Sequence, residues 1–488
     1  MLEKKFVEQK KSELMGLLKI LGPIIIILCI GFVWFFFMNR SIDDSRAHVD
    51  EIMGKANGLR AEGKPEEALA LYISLDKEKF IQRNLGEAAL LAYLKGRSYN
   101  DMAAATADET RKQNLLSAIA QYRAAAKAVD EERQPQLAST IHLRLGAAFH
   151  AMAAFETPMD YLKWSLDEYG KAEALIDKEK QPVEYAALAN GMGKLLSARA
   201  KMDGELSSYL RATGKFNEAL EIYTPDKYPL NYAETLIERG DTRAKLAEQE
   251  EKLKNRQKAG EDYATALSTI ELKGLEELRF RAIYNSAQNL LAMSKIEEPE
   301  KYLDEAVALL EPFIEKLPAD KTPGEYSDAQ WLLGLCYSDL AKKRDADSLL
   351  IKAADAYSKA ADALSPAAEP LKYGKLQGNT GVAYAYLYTI YHDMKYFDAS
   401  RDAFNKALEV FDIDSRPLYF AGTHENLGDL YMMLGTEGGW ENQSEKAAQH
   451  YLQAMRVHTA TKNPRKYKEL YDARNEALSI PLIGAGAE

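Results

Sequence analysis

Seven histidines, two cysteines and one glycine-rich loop are the parts of this 488-residue chain with the most obvious capacity for chemistry. The histidines stand at 48, 142, 150, 392, 424, 450 and 458. His142 and His150 fall on one expected helix but eight positions apart, and no HExxH or His-x3-His pair occurs, so surface or packed histidine is expected rather than a metal ligand. Cys29 lies in an apolar run and Cys336 on an expected helix one turn from Trp331. With no CxxC pair, neither structural zinc nor a redox dithiol is indicated. The stretch GTEGGW, Gly435 to Trp440, lacks the Lys-Ser or Lys-Thr that follows a phosphate loop and reads as an insertion between helices. Asn442-Gln443-Ser444 is a formal glycosylation triplet, meaningful only in a eukaryotic secretory setting. Carboxylates are abundant on expected helix surfaces, but no pair stands out as catalytic. These residues imply a non-enzymatic protein with no catalytic residue, cofactor or metal.

The elements that position them follow a 47-residue period. Gly146, Gly193, Gly240, Ala287, Gly334, Gly381 and Gly428 are each 47 positions apart. Pro135, Pro182, Pro229, Pro323, Pro370, Pro417 and Pro464 keep the same step, with Glu276 filling the gap. A bulky series runs Tyr122, Tyr169, Phe216, Tyr263, Leu310, Tyr357, Phe404, Tyr451. Small residues stand four before it, from Ala118 to Ala447, and three after, from Ala125 to Ala454, with Phe313 the exception. A fixed period of 20 to 50 residues marks a solenoid or array. Each copy reads as two helices, the first starting two or three residues after the proline and the second carrying the Ala-x-x-x-Tyr-x-x-Ala frame on one face. The glycine lies where a bulky side chain would hold a neighbouring helix off. The fold class is therefore all-α. The expected organisation is a first helical hairpin at 49–80, eight repeats over 81–464, a capping helix at 465–478 and a disordered tail at 479–488.

Residues 21–38 read LGPIIIILCIGFVWFFFM without a charge. At about 1.5 Å per residue this nearly spans a hydrocarbon core. Lys4, Lys5, Lys10, Lys11 and Lys19 precede the run, while mixed charges follow it. The positive-inside rule then assigns residues 1–20 to a cytoplasmic tail, 39–48 to a stalk and the repeats to the extracytoplasmic side. A cleaved signal peptide fits less well, because MNRSIDD offers no small-x-small site. The net charge of −11 argues against nucleic acid as the main partner.

The repeat resembles the tetratricopeptide (TPR) family. Leu427–Gly428 with Tyr431, then Ala447, Tyr451 and Ala454, match its two-helix frame, as do Leu333–Gly334, Tyr337, Ala353, Tyr357 and Ala360. The period departs from the usual 34, which implies longer helices or longer loops on both edges. The layout of basic tail, single span and repeats resembles membrane-anchored bacterial envelope TPR proteins that sit beside the secretion translocon. That resemblance implies a scaffold or chaperone-like protein that binds envelope proteins or unfolded clients. The alternative is a glycan-binding envelope module using groove tyrosines and Trp331. Family groove positions lie three before and one after the glycine. They carry over to Asn190 and Lys194, Ile237 and Asp241, Tyr284 and Gln288, Trp331 and Leu335, Glu425 and Asp429. Of these, Asn190, Lys194, Tyr284, Gln288, Trp331, Glu425 and Asp429 are the candidate partner-groove residues. The family's carboxylate clamp wants Lys then Asn; Asn190 and Lys194 stand in reverse order.

The orientation is testable with reporters fused after residue 488. One active only outside the cytoplasm is expected to work there, and a cytoplasmic reporter to stay silent. The opposite pattern rejects the assigned topology.

Overall fold

The computed structural model describes residues 42–436 and 442–480, together with positions 30 and 32. The expected span at 21–38 lies outside the described residues apart from Ile30 and Phe32, which are helical and exposed. No helix among the described residues is long and apolar enough to cross a membrane. Most of the tail at 479–488 and of the GTEGGW loop also falls outside them. The described chain is helical throughout and divides into two compact units at Tyr223/Thr224.

The first unit contains α1 (42–61), α2 (Pro65–Ser74), a short 3-10 turn, α3 (Lys79–Arg83) and α4 (Leu85–Ala104). Five further helices complete it: α5 (Asp108–Ala128), α6 (Pro135–Met152), α7 (Pro158–Leu175), α8 (Pro182–Asp203) and α9 (Leu206–Leu220). The second unit begins with α10 (Pro229–Leu246), α11 (Lys252–Lys273), α12 (Glu276–Met293), α13 (Pro299–Ile314), α14 (Pro323–Ala341) and α15 (Ala346–Asp362). It ends with α16 (Pro370–Tyr391), α17 (Met394–Leu408), α18 (Pro417–Thr436), α19 (Gln443–Met455) and α20 (Pro464–Ser479). From α4 onward each even-numbered helix, here called A, pairs with the odd-numbered B helix after it, and α20 closes the series. The segment expected to be a stalk is helical from residue 42.

The periodic prolines fix where A helices start. Each is the first helical residue, a correction to the expected start two or three positions later. Proline at that position loses no intrahelical hydrogen bond, and its ring drives the preceding residue out of the helical region. Gln134, Gln181, Tyr228, Thr322 and Glu369 accordingly share φ between −126° and −136°. The extra residues of the long period lengthen the helices: α6 has 18 residues, and α8, α11 and α16 have 22 each.

Each hairpin is closed by an aromatic ring lying on a glycine. A methyl added at Gly146 would stand 2.7 Å from the Tyr169 ring, at Gly193 2.7 Å from Phe216, and at Gly240 2.7 Å from Tyr263. At Gly334, Gly381 and Gly428 the distances to Tyr357, Phe404 and Tyr451 are each 2.6 Å. No real Cβ fits there, so only glycine lets the ring reach the A-helix backbone. The periodic alanines three after the ring, such as Ala172 and Ala360, are fully buried beside it. Where serine replaces alanine four before the ring, its hydroxyl donates to the lock glycine's carbonyl: Ser165 to Gly146 and Ser400 to Gly381, both at 2.8 Å. Gly96 makes the same contact with Tyr122 at 2.6 Å, although it stands off the 47-residue register.

The α12–α13 hairpin departs from this rule in both partners together. Ala287 replaces glycine and Leu310 replaces the aromatic, and both are fully buried. A methyl on one side is matched by the loss of a ring on the other, and the pair packs less extensively than the other hairpins.

This compensation predicts a double-mutant result. Gly334→Ala alone should destabilise the chain by about 1–3 kcal/mol through overpacking against Tyr357. Adding Tyr357→Leu, which recreates the Ala287–Leu310 solution, should cost less than the sum of the singles, with a coupling of about 0.5–3 kcal/mol in denaturant unfolding. Simple additivity would mean the ring and the glycine do not meet.

Candidate functional site

The predicted groove residues all sit on A helices. Asn190 and Lys194 lie on α8 in the first unit and the other five in the second. Tyr284 is half-buried on α12, stacked on Phe280 at 5.5 Å, with Gln288 exposed one turn later. Trp331 on the neighbouring α14 packs against the core cluster of that region. Asn190 is buried with its Oδ1 unbonded, and the Trp331 Nε1 is likewise buried without an acceptor. Both stand three residues before their lock glycine.

Other predicted positions hold the array together. The Tyr263 hydroxyl donates to Asp241 and the Tyr451 hydroxyl to Asp429, both at 2.8 Å. Successive A helices are tied by ion pairs: Arg281 to Asp241 at 2.8 Å, Lys372 to Asp328 at 2.9 Å and Lys466 to Glu425 at 2.6 Å. Glu425 and Asp429 thus make internal bonds as well as facing outward.

The A helix α16 has Gly378 three before its lock glycine and contributes none of the predicted groove residues. It carries an exposed apolar stripe: Val382, Tyr386 and Ile390 repeat every four residues and are 36%, 56% and 44% exposed. That spacing puts all three on one side of the helix.

A further polar cluster lies in a cleft of about 510 Å³ between α5 and α7 with α6 as its floor. His142, 4% exposed, faces Glu168 through Nδ1 at 2.6 Å and Glu131 through Nε2 at 3.3 Å. Burial opposes charging the ring, but the bonds and charge of Glu168 and the bond to Glu131 outweigh it and raise its pKa. Burial likewise opposes the Glu168 charge, and the bonds from His142 and Lys171 outweigh it and lower that pKa. Both ring nitrogens are committed to carboxylates, and the nearby Ser165 hydroxyl is committed to Gly146. The trio resembles a catalytic constellation in composition only, because no ring nitrogen is open to take a proton from the serine. Above the pair, Trp164 meets Tyr161 edge-on at 5.1 Å, and the Arg123 guanidinium lies 5.1 Å over Phe149.

Two other hairpins place polar groups at the equivalent depth. His424 and His450 meet through their Nδ1 atoms at 2.9 Å, and Asp262 is held by Arg239 and Arg243 at 2.5 and 2.6 Å. Burial, then the charges of His450 and Arg456, push the His424 pKa down to about 4. One signal for these pairs was present in the sequence. His142 and His424 both stand four before a lock glycine, and Glu168 and His450 both stand one before a lock ring. Among the described residues no group of three or more His, Cys, Asp or Glu is arranged to hold a metal ion. The buried Cys336 thiol is pushed up to about 12 by burial and by Asp339.

No protein-family model matches the chain, and no curated protein matches it. Solved structures do. A TPR2AB-domain:pHSP90 complex of yeast Sti1 is 16% identical, covering 58% of this chain and 98% of that one, with a TM-score of 0.19. The P58(IPK) TPR domain is 13% identical over 88% of this chain and 98% of that one, with a TM-score of 0.21. A human IFIT1 dimer with PPP-AAAA is 16% identical over 87% and 86%, with a TM-score of 0.29. Scores this low carry no argument, and the hairpin array rests on its own geometry.

His142 and His424 should respond to pH with opposite signs. His142 has a folded pKa above its usual 6.5, so its contribution is fully present below pH 6.5 and is lost as pH rises through the folded value. His424 has a folded pKa of about 4, so the unfolded chain takes the proton first and stability falls as pH drops from 6.5 toward 4. Thermal melts should therefore show His142→Gln costing most near pH 6 and less at alkaline pH. His424→Phe should remove part of the acid sensitivity below pH 6.5. The same pH profile in both variants would reject the assigned charge states.

Proposed function

We propose that this chain is a membrane-anchored scaffold or chaperone-like protein that binds apolar segments of other proteins on the extracytoplasmic side, near the secretion translocon. The observation that carries the binding reading is the exposed stripe of Val382, Tyr386 and Ile390 on α16. A lone exposed apolar residue is ordinary, but three on one helix face form a patch that water disfavours and a partner can cover. Covering a tyrosine and two aliphatic side chains supplies affinity at small cost in side-chain entropy. The A-face positions Lys194, Tyr284, Gln288, Trp331, Glu425 and Asp429 form the remainder of the proposed contact surface within their own units, with Asn190 buried beneath it on α8. Anchoring is supported by the uncharged run at 21–38, and orientation by the lysines before it.

The test is photo-crosslinking from position 386 in the full-length chain in its native membrane. Crosslinks to unfolded or partly folded envelope proteins are expected. Tyr386→Ser with Ile390→Ser should reduce capture of the same proteins about tenfold, while the melting temperature stays within a few degrees because both side chains are already exposed. Undiminished capture by the folded variant rejects this surface as the docking face.

A further inference from the structure

At Tyr337, Tyr431 and Leu290 in the second unit, the residue three after the lock stands between the two B helices that flank its A helix. Between α13 and α15 that residue is Tyr337, whose hydroxyl donates to Glu311 while Lys352 lies 5.2 Å over its ring. Between α17 and α19 it is Tyr431, stacked on His450 at 5.4 Å with Lys446 5.4 Å over its ring. Between α11 and α13 it is Leu290, in the hairpin whose lock is Ala287–Leu310. The facing wall positions Ala264 and Ala308 are exposed alanines. The cleft there stays open, with a volume of about 610 Å³. Leu290 and Met293 form its floor, and Leu267 and Leu309 line its sides.

Charge at this cleft has one sign. Its lining contains no lysine or arginine, while the exposed carboxylates Glu261 and Glu305 stand one on each wall. The equivalent cleft between α5 and α7 carries both signs, Arg123 and Lys171 beside Asp167 and Glu168. An apolar floor between two carboxylates matches a chain segment that offers an aliphatic or aromatic side chain with a cation beside it. An acidic segment would meet repulsion from both walls.

We propose that the α11–α13 cleft docks an apolar side chain of a partner protein segment carrying an adjacent Lys or Arg. It is a second docking point, away from the α16 stripe in sequence and formed by B helices. It rests on the reading of the chain as a protein-binding scaffold.

The probe is a displayed library of random 12-residue peptides selected on the full-length chain and counter-selected on the Ala264→Trp/Ala308→Trp variant. Those substitutions fill the cleft from exposed positions, and an unchanged melting temperature establishes that the variant folds. Cleft-dependent peptides are expected to combine a large apolar residue with Lys or Arg within four positions. Synthesised individually, they should bind the filled variant at least about tenfold more weakly. Glu261→Lys/Glu305→Lys should weaken them too, most at low salt. The proposal is overturned if no recovered peptide depends on the cleft, if acidic or uncharged apolar peptides bind it equally well, or if charge reversal has no effect. If it is overturned while the α16 variants still lose their partners, the scaffold reading stands and only the cleft assignment falls.

Discussion

The contact between an aromatic ring and a bare glycine backbone is the constraint on which this structure depends. It is made inside each hairpin from α4 onward except α12–α13, between residues 23 apart in the regular copies, so each of these hairpins fixes its own interhelical distance before it meets a neighbour. The buried alanines, the serine bonds to glycine carbonyls and the phenol bonds to Asp241 and Asp429 are arranged around that ring. Because the ring takes the interior of the hairpin, the outward faces of both helices are left to vary.

The proposed binding function rests on that variation. The same architectural place, beside an A helix and between two B helices, holds a buried imidazole with two carboxylates in one copy, a pair of neutral histidines in another and an apolar hollow in a third. The A-helix faces vary in the same way, from ion-pair ladders at Asp241 and Glu425 to the bare stripe on α16. Constant interiors with variable faces are what an extended binding surface needs.

The sequence made the hairpin architecture legible because steric exclusion leaves a simple mark: a small residue at fixed distance from a ring. Gly96 escaped because it stands 50 residues before Gly146, so a strict period skips it, although its contact with Tyr122 is the same. Helix starts were misplaced because the fixed φ of proline suits the first helical residue itself. The site was less legible. Groove positions read from a register identify which residues share a helix face, but not which are engaged by neighbours: Asp429 is held by Tyr451 and Glu425 by Lys466. The His142–Glu168 and His424–His450 pairs join residues 26 apart on different helices, a separation that motif patterns based on one helix do not sample. The α16 stripe is apolar and exposed, and exposure depends on how far adjacent helices reach, which no local pattern encodes.

The α12–α13 hairpin has a consequence for how the second unit comes apart. In a linear array, stability is a sum of terms for each hairpin and for each junction, so cooperativity extends only as far as those terms stay strong. Exchanging glycine and ring for Ala287 and Leu310 keeps the interior filled but gives up aromatic contact area, and open clefts lie on both sides of α13. Thermal fluctuations then concentrate at this point. Amide hydrogens of α12 and α13 would exchange with solvent ahead of those in α14 and α18, and the hairpins on either side would behave as separate cooperative blocks. The hairpin that offers this apolar hollow of about 610 Å³ is thus also the one expected to yield first, so closing a partner segment into it would stiffen the array at its softest joint.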